Sequence, residues 1–257
     1  MGTTLSLLAV GFFLGMRHAT DADHVIAVST IVSRQRSMRG AAVIGALWGL
    51  GHTLTVMLVG GAIILLTVTI PPRTGLAMEF AVGVMLVVLG FLNLTGLNLW
   101  IRDNVAPGSG AHGHTHAHGD YAHSHVHGHG AASHGHNEEQ TPQAWLDRKL
   151  GGIGFYPMLR PLVVGIVHGL AGSAAVALLV LTAISDPWWG MLYLFLFGVG
   201  TVAGMMLLTA AIAAPMVYSV QRFPRFNAYL RVASGLLSLG FGLFLIYYIG
   251  YVDGLLT

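Results

Sequence analysis

Cysteine is absent from the 257-residue chain. That removes thiolate metal sites, disulfides and a catalytic cysteine together, and leaves the redox compartment undetermined. Charge is also scarce: Asp, Glu, Lys and Arg make up 9% of the residues, against about 25% in a soluble domain. The single lysine, Lys149, follows Arg148, so there is no Gly-Lys-Ser/Thr phosphate loop and no ATP hydrolysis by that route. The twelve basic residues are scattered, with a net charge of +2, and form no nucleic-acid-binding stripe.

Apolar residues are abundant, at 54% of the chain with a mean hydropathy of +0.71. The composition is that of an integral membrane protein. Six apolar runs, 4–32, 41–69, 78–101, 161–184, 189–217 and 228–251, each reach the ~20 residues that cross a bilayer as a helix. No Lys or Arg precedes the first run, which reads as a span and not as a removable signal peptide. The first two runs are long: about 29 residues extend ~43 Å as a helix, against a hydrocarbon core of ~30 Å. Tilt, or a break near residues 17–24, absorbs the excess.

Arg34, Arg36 and Arg39 follow the first run, Arg102, Arg148, Lys149 and Arg160 border the central insert, and Arg222 and Arg225 lie before the last run. The positive-inside rule makes these loops cytoplasmic and places both termini outside, in a multi-pass protein of the cytoplasmic (inner) membrane. Trp188, Trp189, Tyr247, Tyr248 and Tyr251 are candidates for an outer aromatic belt.

The sequence repeats itself at a constant shift. Gly15-Met16-Arg17-His18 aligns with Gly165-Ile166-Val167-His168, Gly49-Leu50-Gly51-His52 with Gly198-Val199-Gly200-Thr201, and Leu89-Gly90-Phe91 with Leu239-Gly240-Phe241, at shifts of 150, 149 and 150 residues. Three spans per half, an odd number, require the second half to be inverted. The expected fold is all-α: six transmembrane helices as two inverted three-helix repeats, residues 1–102 and 158–257, with the substrate site between them near mid-membrane.

Residues 103–157 form the insert. It holds His112, His114, His116, His118, His123, His125, His127, His129, His134 and His136 among Gly, Ala and Ser. Such a composition buries no core, so the segment is expected to be a disordered cytoplasmic chelator, open to Zn²⁺ as well as to the transported ion. A short interfacial helix is expected at Trp145 to Lys149.

The remaining four histidines fall in the spans: His18, His24, His52 and His168. Arg17-His18-Ala19-Thr20-Asp21-Ala22-Asp23-His24 puts two imidazoles, two carboxylates and a guanidinium inside an apolar run. Each ionisable group there is costly unless paired or facing a polar cavity. Imidazole with carboxylate and no sulfur suits Ni²⁺, Co²⁺ or Zn²⁺. On a regular helix His18 and His24 lie about 240° apart, so both reach one ion only if the helix unwinds locally. His18, Asp23, His24 and His52 are the expected ligands. Asp21 either orients an imidazole or binds the ion itself, and Arg17 is tolerable where it pairs with Asp21 or Asp23. Thr53, His168 and Ser173 are candidates for a supporting or gating role.

His18 to His24 has the form His-x4-Asp-His, and with Arg17, Ala19, Asp21 and Asp23 it resembles the signature of the nickel/cobalt transporter (NiCoT) family. Leu50-Gly51-His52-Thr53 resembles that family's Leu-Gly-His-Ser/Thr element. The resemblance implies a permease taking up Ni²⁺ and/or Co²⁺, with metal as substrate, the lipid bilayer as surroundings, a cytoplasmic metal acceptor as a possible partner and no prosthetic group. It implies eight spans, where six are read here, and a second-half Leu-Gly-Phe-Asp-Thr-Ala-Thr-Glu element that is missing. Six spans with a histidine-rich loop also look like the broader superfamily of nickel/cobalt exporters and urease-accessory membrane proteins, which keeps efflux by proton exchange as the alternative. A membrane metalloenzyme has less support: His-Glu-x-x-His is absent, and the spans hold four histidines where di-iron hydroxylases use about eight. A metal sensor or storage protein would not need six spans.

Overall fold

The computed structural model describes residues 2–33, 35, 37–66, 70–105, 112–118, 121–127, 156–170, 184 and 186–256. The membrane part is helical. The helices are α1 (Gly2–His18), α2 (Ala22–Val32), α3 (Met38–Leu66), α4 (Pro72–Val105), α5 (Tyr156–Gly169), α6 (Pro187–Arg222) and α7 (Pro224–Tyr247), which runs into a π-helical turn, Tyr248–Val252. Four helical stretches are long and apolar enough to cross a membrane: Met38–Leu66, Pro72–Thr95, Pro187–Ser219 and Tyr229–Val252. Ser6–His18, Ala22–Val32 and Leu159–Gly169 are shorter apolar helices.

The first apolar run is therefore not one helix. It breaks at Ala19–Asp21, where the Thr20 hydroxyl donates to the Arg17 carbonyl (2.6 Å) and the Thr20 and Asp21 amides donate to Arg17 and His18 (2.8 and 3.1 Å). Asp21 then takes an extended conformation (φ −62°, ψ 149°) and starts α2. A threonine and an aspartate in succession offer the backbone such local alternatives to the helix. The run at 161–184 begins in α5, and its residues 171–183 lie outside those described.

Glycine decides how closely the helices meet. A Cβ on Gly15 of α1 would collide with the Phe197 carbonyl of α6, and one on Gly165 of α5 with the Trp48 carbonyl of α3. In the same way Gly200 of α6 abuts the Phe12 carbonyl, and Gly51 of α3 abuts the Leu162 carbonyl. Small residues that admit a backbone at this range are what drives helix association where lipid removes the hydrophobic incentive. The two pairs of contacts match residue for residue at the shift of 149–150 seen in the sequence. α3 and α6 also pack on each other, with Trp48, Met205 and Ala213 in a buried cluster that takes in Ala19, Ala27, Val28 and Val32.

Away from that centre α4 packs on α7. The Ser238 hydroxyl donates to the Leu86 carbonyl (2.8 Å), and the Asn93 amide donates to the Arg231 carbonyl (3.0 Å) and Ser234 Oγ (3.2 Å). The outer surface carries apolar side chains such as Leu54, Leu58, Leu65, Phe195 and Leu207, an exposure that suits lipid and not water. Trp188, Trp189, Tyr247, Tyr248 and Tyr251 are all exposed, as belt residues must be.

Part of the insert lies among the described residues. His112–His118 and Tyr121–His127 form an antiparallel two-stranded hairpin, β1 and β2, in which His112 faces His127, His114 faces His125 and His116 faces His123. The histidines there alternate with Gly, Thr, Ala, Ser and Val at period two, the period of a strand. The remaining insert histidines, His129, His134 and His136, and the Trp145–Lys149 segment lie outside the described residues.

Candidate metal centre

The break between α1 and α2 brings His18 and His24 to one place. Their rings lie 4.7 Å apart between centroids, where a continuous helix would have pointed them away from each other. α3 brings His52 against both, at 5.0 Å from the His18 ring and 5.2 Å from the His24 ring. α5 ends on His168, whose ring is 4.2 Å from that of His24. His24, His52 and His168 are fully buried and His18 nearly so.

Two ligand groups result. His18, His24 and His52 can present nitrogens within 4.8 Å of one another, and so can Asp23, His24 and His168 with a carboxylate oxygen in place of one nitrogen. Asp23 Oδ1 accepts from the His24 amide (3.0 Å) and lies 3.1 Å from His24 Nδ1. Asp23 Oδ2 lies 3.1 Å from His168 Nε2, outside hydrogen-bond alignment. Asp21 does not cap its own helix; its Oδ2 sits 2.8 Å from His18 Nδ1. A carboxylate in that position can accept from an Nδ1–H, the arrangement that leaves Nε2 of an imidazole free to bind a metal. Asp21 thus supports His18 and stands in neither group.

Several polar atoms of the cluster and its Trp48 neighbour lack a hydrogen-bond partner among the described residues: His24 Nε2, His52 Nδ1, His168 Nδ1 and Trp48 Nε1. Each such atom costs about 1–3 kcal/mol. The imidazole nitrogens among them lie beside the Asp23 carboxylate, a donor set with the chemistry to hold a cation.

Two of the sequence candidates fall elsewhere. Arg17 is exposed, and among the described residues it forms no ion pair with Asp21 or Asp23, because His18 and the His24–His168 pair already occupy those carboxylates. Thr53 donates to the Gly198 carbonyl (3.2 Å) and its methyl fills the space above that glycine, so it serves the α3–α6 contact. Ser173 lies outside the described residues. His168, a candidate for a supporting or gating role, stands inside the cluster beside Asp23 and His24.

Aromatic neighbours were missed. The Trp48 ring stacks on His24 (6.0 Å, 18°) and meets His168 edge-on at 5.5 Å, while Phe197 lies 5.5 Å from His18. Positions 48 and 197 differ by 149 and His18 and His168 by 150, the shifts seen in the sequence, and Trp48 meets His168 as Phe197 meets His18. At the same shift of 149 His52 corresponds to Thr201, whose hydroxyl donates back to the Phe197 carbonyl of its own helix (2.9 Å). Of the clustered residues, His18, Asp23, His24 and His52 precede the insert and His168 follows it.

No family model matches the chain, and no solved structure matches it. Among curated proteins, it is 34% identical over 251 residues to the urease accessory protein UreH of Bacillus sp. (strain TB-90), covering 98% of this chain and 95% of the relative. It is also 26% identical over 244 residues to the chloroplast protein FOR GROWTH AND FERTILITY 2 of Arabidopsis thaliana, covering 92% of this chain and 55% of that protein. At that identity, end to end, the chain belongs to the family of the urease accessory protein UreH.

Proposed function

We propose that the chain is a secondary transporter that takes up divalent transition-metal ions, Ni²⁺ and/or Co²⁺, across the cytoplasmic membrane. The observation that carries this reading is the cluster of four buried imidazoles and Asp23 at the meeting point of α1, α2, α3 and α5. The donor set is nitrogen and oxygen without sulfur, matching these ions. A nickel-related membrane protein also agrees with a urease accessory relative, which is named as an accessory protein and not as an enzyme.

The architecture we infer is six spans in two inverted repeats. The matched glycine contacts, Gly15 with Phe197 and Gly165 with Trp48, support it, as does the matched pairing of aromatic and histidine rings. In such a frame the halves rock about a site between them. The ion exchanges its waters for imidazole and carboxylate ligands at the centre, while Trp48 and Phe197 close the two approaches. Inward movement of a dication gains about 4.6 kcal/mol per 100 mV of membrane potential, twice the figure for one charge. Uptake then needs no ATP, in keeping with the missing phosphate loop.

Both termini lie outside and the histidine-rich insert lies in the cytoplasm, where it collects arriving ions for a cytoplasmic acceptor. Accumulation of ⁶³Ni²⁺ and ⁵⁷Co²⁺ in cells with and without the protein tests the reading. Greater accumulation with the protein supports uptake; lower accumulation would assign efflux.

A further inference from the structure

His24 offers its two ring nitrogens to two different sets of ligands. Nδ1 lies 3.1 Å from Asp23 Oδ1, and the other oxygen of that carboxylate lies 3.1 Å from His168 Nε2. Nε2, on the far side of the ring, is buried and has no hydrogen-bond partner among the described residues. The two ligand groups, His18 with His52 and Asp23 with His168, share His24 and no other residue.

We propose that the cluster is two adjacent ion stations, one on each nitrogen of His24, and not a single five-ligand site. This rests on the transport reading above and deepens it. The first station takes Ni²⁺ or Co²⁺ through His18, His52 and His24 Nε2, all neutral imidazoles. The second takes the ion through Asp23, His168 and His24 Nδ1, and its carboxylate offsets one of the two positive charges. Two dications on one buried ring repel strongly, so the stations fill alternately.

Transfer between them breaks and forms metal–ligand bonds only, with no change of oxidation state. The single proton of neutral His24 sits on Nδ1, facing Asp23, while the ion is on Nε2. When the ion takes Nδ1, that proton is released to water and Nε2 takes one up from water, so the proton count on His24 is unchanged. The exchange replaces His18 and His52 by His168 and Asp23, and His18 and His168 occupy equivalent positions in opposite halves. Handing the ion across His24 is thereby tied to the relative movement of the halves.

The test is a crystal structure of the full chain grown with Co²⁺, with anomalous scattering recorded at the cobalt edge, beside cobalt uptake by the same protein. Two anomalous positions are expected on either side of the His24 ring, one bonded to His18 and His52 and the other to Asp23 and His168. Their occupancies sum to about one ion, as charge repulsion requires. His168→Ala removes the second position alone and His18→Ala the first alone; the wild-type map decides the matter even if a variant fails to fold. One position bonded to His18 and His168 together, or one confined to a single set at every cobalt concentration, with uptake intact, overturns the two stations and leaves the transport reading standing. No position near His24 together with no uptake removes both.

Discussion

The Nε2 atoms of His18 and His52 face each other at 3.0 Å, although 34 residues separate them in the chain. Two nitrogens bound at about 2.1 Å to one ion, at right or tetrahedral angles, lie about 3.0–3.4 Å apart. The pair is therefore set to receive a cation with little movement, and without one it shares a proton.

Asp21→Asn separates support from ligation. The variant keeps shape and weakens the hold on the His18 Nδ1 proton, so metal affinity should fall about 10–100-fold while transport at saturating metal persists. Asp23→Asn removes the charge that offsets the dication and should lower transport even at saturation. Isothermal titration and uptake on the two variants check this; equal effects would count against the division of roles.

Glycine contacts give a stability prediction independent of metal. Gly15→Ala and Gly165→Ala each force a methyl into a backbone carbonyl of the neighbouring helix and should cost about 1–3 kcal/mol or more. Gly240→Ala meets nothing within 4 Å and should be neutral or slightly stabilising. Thermal unfolding in detergent, followed by fluorescence, reads the difference. A Gly165→Ala protein as stable as Gly240→Ala would break the account of α3–α5 packing.

Trp48→Ala and Phe197→Ala should each open one approach to the site. Because the chain has no cysteine, single cysteines introduced on either side of the cluster report access cleanly. Trp48→Ala should expose its own side alone to an impermeant thiol reagent, and Phe197→Ala the other. Unchanged labelling in both variants would remove the aromatic rings from any closing role.

Deletion of residues 112–136 should leave the helical bundle folded and most transport intact, since the insert lies outside the spans. Bound nickel per chain should fall, because ten histidines lie in this region. Equilibrium dialysis with ⁶³Ni²⁺ measures the loss. Abolished uptake at saturating metal, in a variant that still reaches the membrane, would make the insert part of the path.

Much of the site was legible because membrane segments tolerate so few ionisable groups. Four histidines and two aspartates in apolar runs named the cluster, and the angular mismatch between His18 and His24 called for the break that Ala19–Asp21 supplies. Which carboxylate supports which ring was not legible, since Asp21 and Asp23 differ only in how the backbone turns between them. Trp48 and Phe197 read as ordinary apolar residues; their shared shift of 149 was the available clue. The β1–β2 hairpin is hard to read in the sequence because low complexity points to an unstructured segment while the period-two placement of the histidines points to strands.

The central claim is that the buried His/Asp cluster carries metal into the cell. Its most direct test is initial ⁶³Ni²⁺ uptake by purified protein in liposomes with an inside-negative potential, for wild type and His24→Ala, normalised to folded protein. The account predicts potential-driven accumulation by wild type and a drop of tenfold or more in His24→Ala, since that ring joins both ligand groups. Uptake by a folded His24→Ala protein at the wild-type rate would contradict it.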